Sequence, residues 1–294
     1  MFEWDKLLLK RAKHDLAMIT DFNTILDSDK HVYIHVKDGK CNVKSPKFLT
    51  WRDKLWTPRK EFAETLLKKI DFSDSPDCTI PLRISDGYEY TGQLSFCWAK
   101  PQNKSSLLFP CWSFDNWEKT IKEFDKHYIP WEDRTDTGYF KGSDSSKPTN
   151  NIRAIVRDIF PQYIDLNSKT FEPITEMMKH KISFDLPGYS NWSVRTPYID
   201  LSGCSSLRVL LYNKSRSEEQ WIQFYEHDIR GILISETDIP KTMPELKDEF
   251  NKMLGKRAQN RAEKMREKMK SLTTKHMLTY IKFICNYIGE KQDL

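Results

Sequence analysis

From residue 138 onward, short apolar runs alternate with segments whose apolar residues recur every three or four positions. The apolar runs fall at 138–141, 182–186, 198–201 and 231–235, and the helical patterns at 152–160, 205–212, 218–226 and 244–254. A strand–helix–strand rhythm of this kind places neighbouring strands parallel, because the crossover helix carries the chain back to the same end of the sheet. The helices must then cover the faces of the sheet. The second half of the chain is therefore expected to be a parallel α/β domain.

The first half reads as a less regular α/β domain. Residues 1–26 predict an amphipathic helix, with Leu8, Leu9, Ala12, Leu16, Ile19 and Phe22 on one face. Residues 31–43 alternate about Asp38-Gly39, a hairpin pattern. Thr57-Pro58 predicts the start of a helix that runs to residue 70. The run TIPLRIS predicts a strand ending at Asp86-Gly87, GQLSFCWAK a second extended segment, and a helix begins near Trp117. A polar stretch containing Pro130 separates residues 1–133 from a second domain at 134–255, and residues 256–294 are expected to be helices packing across both.

That C-terminal region is basic: residues 252–282 hold ten Lys/Arg against two Asp/Glu. Met265, Met269, Leu272, Met277, Leu278, Ile281 and Ile284 nevertheless form a stripe. A helix with its apolar side in the protein and its basic side in water accounts for both features, so neither nucleic acid nor a membrane surface is required. The net charge of +5 is too mild to demand nucleic acid, and it suits an anionic ligand. Six scattered cysteines with no C-x-x-C pair predict buried free thiols in a reducing compartment. The opening MFEWDKLLLKRAKHDL is too charged for a secretory signal, and no stretch is apolar enough to span a bilayer, so a cytoplasmic protein is expected.

Several chemistries lack their motifs. There is no G-x-S-x-G elbow, no P-loop and no G-x-G-x-x-G. His31 and His35 lie four apart in a strand pattern, which does not converge on a metal. Asp27-Ser28-Asp29 is a D-x-D tripeptide in a loop, a common sequence that carries little weight.

Two stretches share one design. In YFKGSDSSKPTNNIRAIVRDI, residues 139–159, a strand end leads into the small residues Gly142, Ser143, Ser145 and Ser146, then into a helix carrying Arg153 in its first turn. In TPYIDLSGCSSLRVLLYN an expected strand at 198–201 precedes Gly203, Cys204, Ser205 and Ser206, then an expected helix holding Arg208. Free N–H groups at a helix start and an arginine fork both suit a phosphate. Gly203 lets the backbone approach a ligand, and Ser205 can cap the helix or donate to a phosphate. Two such sites at the ends of neighbouring parallel strands would face one crevice, with a diphosphate between Arg153 and Arg208.

These stretches resemble glycosyltransferase family 90, which includes Rumi-like protein O-glucosyltransferases and capsule xylosyltransferases. YFKGSDSS…NIRAIV resembles its FRGS-x-T/S…R segment, and YIDLSGCSSLRVLL its G-x-A-A/S-S-F-R turn. LSFCWAK…SSLLFPCWSFDNW and EEQWIQFYEHDIRGILIS resemble flanking segments, so the likeness spans residues 81–235. The resemblance implies a GT-B arrangement, in which two Rossmann-like domains face a cleft, here followed by a long C-terminal helical region. It implies inverting, metal-independent transfer of xylose or glucose from UDP-xylose or UDP-glucose to an oligosaccharide or glycoprotein acceptor, with no further cofactor.

Carried over by residue, Ser143, Arg153, Ser206 and Arg208 would contact the diphosphate, and Asp200 to Cys204 would lie near the nucleoside and sugar. Lys141 replaces the family's arginine before the glycine, so a rigid fork becomes a point charge. Ser106 stands where the Rumi-like branch has its catalytic aspartate, and serine cannot take the acceptor's proton. Asp86 is the first substitute, against a plain turn-capping role, followed by Asp74, Asp77 and Asp115. Tyr88, Trp112 and Phe114 either stack on acceptor sugars or belong to the core. The missing secretory signal and the lost aspartate argue against a Rumi-type acceptor and suit a cytoplasmic viral or microbial member. The alternative is a nucleotide-sugar or nucleic-acid binding protein without catalysis.

Overall fold

The computed structural model describes residues 3–24, 30–45, 53–85, 93–101, 104–143, 152–166, 172–186, 193–212, 221–225, 232–235 and 239–292. The chain forms two compact units. Met1–Asp115, Gln220–Ile229 and Thr273–Leu294 make the first, and Asn116–Glu219 with Arg230–Leu272 the second.

In the first unit, α1 (Trp4–Leu16) buries Trp4, Leu8, Ala12 and Leu16, one residue per turn on one side. It stops ten residues short of the expected end. The Asp21 carboxylate accepts the N–H groups of Asn23 and Thr24, a turn that competes with helix. The expected hairpin forms: β1 (His31–Lys37) and β2 (Lys40–Lys44) pair antiparallel. Asp38 and Gly39 join them at φ 49° and 70°, the pair of positive values whose twist matches the strands. Helix α2 (Asp53–Leu67) starts before Thr57 and carries Pro58 inside, so one helical hydrogen bond is missing.

Strands β3 (Cys78–Arg83), β4 (Phe96–Cys97) and β6 (Leu107–Leu108) continue the sheet in the order β2-β1-β3-β4-β6, where β3, β4 and β6 run parallel. Strand β5 (Ala99–Pro101) instead pairs antiparallel with β11 (Trp221–Gln223). Within the helix expected at 218–226, residues 221–223 are thus a strand and 224–225 a turn. Helix α8 (Thr274–Gln292) buries Met277, Tyr280, Ile281, Ile284 and Ile288. The Tyr280 hydroxyl donates to the Leu108 carbonyl at 2.9 Å, and the Gln292 amide bridges Thr79 and Phe22.

The second unit contains α3 (Trp117–Lys126), β7 (Thr135–Lys141), α4 (Ile152–Ile159), β8 (Ile164–Asp165), β9 (His180–Asp185), α5 (Thr196–Ser202), β10 (Ser205–Tyr212), β12 (Ile232–Ser235), α6 (Ile239–Lys252) and α7 (Lys256–Ser271). The sheet order is β12-β10-β9-β7-β8, and its pairings are parallel, as the strand–helix rhythm predicts. In chain order this is 2-1-3-4-5, a doubly wound sheet whose winding direction reverses between β7 and β9. The core packs Phe140, Ile182, Phe184, Leu207 and Val209 of the sheet against Ile152 and Val156 of α4 and Leu246 and Phe250 of α6.

One expectation is reversed. Residues 196–202 are the helix and residues 205–212 the strand. Pro197 sits in the first turn of α5, where its fixed φ favours helix, and Gly203 at φ 71° caps the end. SSLRVLLY is a central parallel strand with Leu207 and Val209 fully buried, and such a strand lacks polar alternation.

Gly138 shows how closely this sheet is covered. A Cβ there would lie 2.3 Å from Phe184 Cε2 and 3.0 Å from Phe250 Cε2. Gly138→Ala is expected to destabilise the unit by about 1–3 kcal/mol through overpacking, read as a lower denaturant midpoint. An unchanged midpoint would mean that Phe184 and Phe250 move aside freely. No helix among the described residues is long and apolar enough to cross a membrane.

Candidate functional site

In a doubly wound sheet, ligands bind beyond the carboxyl ends of the strands at the point where the winding reverses. In the second unit that point is the pair β7 and β9. Beyond β7 stand Gly142 and Ser143. Beyond β9 the chain re-enters the described residues at Ser193 and starts α5 with Arg195 and Thr196.

Arg195 is the central cation. Its Nη2 lies 2.8 Å from the point that a Cβ on Gly142 would take, and its guanidinium carbon is 4.5 Å above the Phe140 ring. Arg153, at the start of α4, has its guanidinium carbon 5.4 Å from the same ring. Its Nη1 donates to the Ser143 carbonyl at 2.7 Å and so fixes the loop after β7. Lys141 Nζ meets Glu172 at 2.5 Å, and the Tyr139 hydroxyl donates to the same carboxylate at 3.2 Å. Tyr139 stacks on His180 with ring centroids 5.3 Å apart. Beside them is a cavity of about 360 Å³ whose lining includes Tyr139, Lys141, Ser143, Glu172, Met177 and Arg195.

The electrostatics favour an anion. Burial holds the Arg195 pKa below its ordinary value, with Asp185 and Tyr139 opposing that shift. Among the described residues no ion pair engages its guanidinium, which is a partly desolvated charge beside a cavity. A planar fork in that state binds a phosphate with two parallel hydrogen bonds. The hydrogen bond from Lys141 keeps the Glu172 carboxylate below its usual range, so Lys141 is committed to that pair.

Behind Arg195 lies a buried ion pair. Arg208 Nε donates to Asp185 Oδ2 at 2.7 Å, and the Thr196 hydroxyl donates to the same oxygen at 3.0 Å. Arg208 and Asp185 are register partners on β10 and β9, so their side chains leave the same face of the sheet. The other oxygen, Asp185 Oδ1, is buried with no hydrogen-bond partner among the described residues. The Asp185 carboxylate thereby ties the first turn of α5, next to Arg195, to the end of β9.

Of the residues singled out in the sequence, Ser143 lines this crevice, and Arg153 is tied to it through the Ser143 carbonyl. Ser145, Asp86, Tyr88 and the tripeptide Asp27-Ser28-Asp29 lie outside the described residues. Asp200, Cys204, Ser205, Ser206 and Arg208 line a different cavity, of about 420 Å³. Because 203–205 follows the end of a helix rather than beginning one, it offers no row of free N–H groups, and the helix end disfavours an anion. The strand–loop–helix–arginine design expected there occurs instead from β9 to α5, with Ser193-Val194-Arg195 as its serine and arginine. The available signal was Thr196-Pro197, a helix start directly after an S-x-R triplet.

In the first unit, Ser106 is fully buried beside the Cys97 thiol, with which it shares a hydrogen bond. Asp74 pairs with Lys282 at 2.5 Å, Asp77 accepts the Asp38 N–H, and Asp115 is exposed. Phe114 is a core residue, 2% exposed, with its ring edge-on to Phe224 and Tyr225. Trp112 is half-buried, with the Arg59 guanidinium 4.2 Å above its ring and Trp98 edge-on. Among the described residues no three His, Cys, Asp or Glu side chains are grouped to hold a metal ion.

The contact at Gly142 is testable. Gly142→Ala sets a methyl 2.8 Å from Arg195 Nη2, so the guanidinium must swing away. Affinity for inorganic pyrophosphate, a diphosphate probe, is expected to fall about tenfold, the loss of roughly one hydrogen bond to a charged group. The thermal midpoint should move little, because the displaced atom is the far end of a flexible side chain. Unchanged pyrophosphate binding would separate Arg195 from an anion site.

A family model described as Glycosyl transferase family 90 matches residues 85–280. No curated protein matches the chain at a significant level.

Proposed function

Since the chain belongs to glycosyltransferase family 90, we propose that it binds a UDP-sugar at the β7–β9 crevice and transfers xylose or glucose to a hydroxyl of a glycan or glycoprotein, with inversion and without a metal. The observation that carries this proposal is the Arg195 guanidinium, held against Gly142 at the winding reversal with no ion-pair partner among the described residues. Arg153 braces the adjoining loop through the Ser143 carbonyl.

The chemistry is a single displacement. The acceptor oxygen attacks the anomeric carbon as the bond from that carbon to the phosphate oxygen breaks. UDP leaves with added negative charge, and Arg195 stabilises that charge where it develops. Ser143, which lines the same cavity, would assist. The acceptor's proton goes to a carboxylate, and Asp86 is the proposed base. Asp74 and Asp77 are already engaged by Lys282 and by the Asp38 N–H, which favours Asp86 over them.

Purified protein incubated with UDP-xylose or UDP-glucose, a glycan acceptor and EDTA is expected to release UDP and form a product of inverted anomeric configuration. Retention at the anomeric carbon, or UDP release only after metal is restored, would sink the mechanism. Asp86→Asn should abolish transfer while UDP affinity stays near normal, and a near-normal rate would remove Asp86 as the base. One observation favours a second reading, a nucleotide-sugar binding protein without catalysis. Ser106, at the family's aspartate position, is fully buried and carries no base. UDP binding with no turnover on any acceptor would favour that reading.

A further inference from the structure

We infer that Glu172 is a resident competitor at the β7–β9 crevice: its carboxylate holds Lys141, and an incoming phosphate must take that lysine from it. The inference rests on reading the crevice as an anion site. Lys141 and Arg195 are the cations of the cavity lining, and Glu172 lines the same cavity. The two cations are in different states. Arg195 has no ion-pair partner among the described residues. Lys141 Nζ meets Glu172 Oε1 at 2.5 Å, while the Tyr139 hydroxyl donates to Oε2 at 3.2 Å. In the ligand-free chain Glu172 therefore stands where a bound anion would gain its second cation.

The exchange costs little. The Glu172 side chain is 39% exposed and that of Lys141 15%, so water screens the pair and its breaking is a small loss. A diphosphate held by Arg195 brings more charge than one carboxylate to the other cation of the same cavity. Glu172 is not stranded when the lysine leaves. The Tyr139 hydroxyl still donates to its other oxygen, and its exposed side takes water. Tyr139 is itself fixed by stacking on His180. Lys141 thus has two alternative partners, Glu172 when the crevice is empty and phosphate when it is filled. Asp165, the exposed register partner of Lys141 on β8, is a second carboxylate here, and its charge acts on Glu172. In a transferase the same contact serves departure. The carboxylate recaptures the lysine as the product diphosphate leaves, so product is held less tightly than two free cations would hold it.

The test is a calorimetric titration of the full chain with inorganic pyrophosphate. Glu172→Gln keeps the side chain's shape and its bond to Tyr139 but removes the charge that holds the lysine. Affinity is expected to rise roughly fivefold, from release of a screened ion pair and loss of a like charge beside the ligand. The thermal midpoint should stay nearly unchanged. Lys141→Met should weaken binding, and in that background Glu172→Gln should bring no comparable gain. Arg195→Ala, which should lose pyrophosphate, places the probe at the crevice. If that loss is seen but Glu172→Gln leaves affinity unchanged or lower, the competitor is refuted and the anion site stands. A gain that persists undiminished with Lys141→Met, or one produced by Asp165→Asn and not by Glu172→Gln, refutes the competitor equally. Pyrophosphate binding that survives Arg195→Ala, or that neither the wild-type chain nor Glu172→Gln shows, would refute the anion site and this inference with it.

Discussion

Arg195→Ala is expected to lower the transfer rate by about 10²–10³-fold, the usual consequence of removing one preorganised donor from developing negative charge. UDP affinity should fall with it, because in the proposed complex the guanidinium also meets the ground-state diphosphate. Stability should be nearly unaffected, since among the described residues no carboxylate is left unpaired when the side chain goes. Arg195→Lys should recover part of the affinity and less of the rate, because an ammonium keeps the charge but loses the fork. Steady-state kinetics and UDP titration on the two variants check this, with thermal unfolding as the control. If Arg195→Ala transfers sugar at the wild-type rate, the donor does not lie at the β7–β9 crevice.

The second large effect concerns stability. Arg208 and Asp185 are 6% and 5% exposed, and they face each other across the sheet. Removing one partner leaves a buried charge uncompensated, at a cost of about 3–5 kcal/mol. Asp185→Ala and Arg208→Ala should each lower the urea midpoint accordingly. Asp185→Ala should also weaken UDP binding in whatever folded protein remains, because Thr196 loses its acceptor at the start of α5. Replacing both residues, Asp185→Leu with Arg208→Met, is expected to recover most of the lost stability, since an apolar pair of similar volume avoids the desolvation cost. If the double variant is as unstable as the single ones, the pair matters through packing rather than charge.

The contrast between these two arginines shows where sequence reasoning stops. Both follow small polar residues, and both sit near a strand or helix boundary. Arg208 reads as a phosphate ligand from sequence because an eight-residue segment with five apolar residues fits a buried helix as well as a buried parallel strand. The structure makes it a strand and pairs Arg208 with Asp185. Arg195 takes the position expected of Arg208: it follows the strand that borders the winding reversal, and it starts the helix behind it.

Features with a local cause were legible in advance. Asp38-Gly39 needs two residues that tolerate positive φ, and the hairpin forms there. The rhythm of apolar runs and helical patterns was enough for a parallel sheet, because only crossover connections join strands in that order. The closeness of Ser143 and Arg153 was legible because the loop, the helix start and the arginine lie within one short stretch. Segments whose state depends on distant partners were not legible: Pro58 sits inside α2, and residues 221–223 form a strand because β5 offers them an edge.

The amino-acid sequence by itself determined the family, the α/β class and one side of the candidate crevice, because each rests on turns, periodicity or motifs that act over a few residues. The tertiary structure alone decided which arginine lines the β7–β9 cavity. That choice depends on whether a guanidinium finds a carboxylate across the sheet, and the carboxylate that claims Arg208 stands 23 residues earlier in the chain.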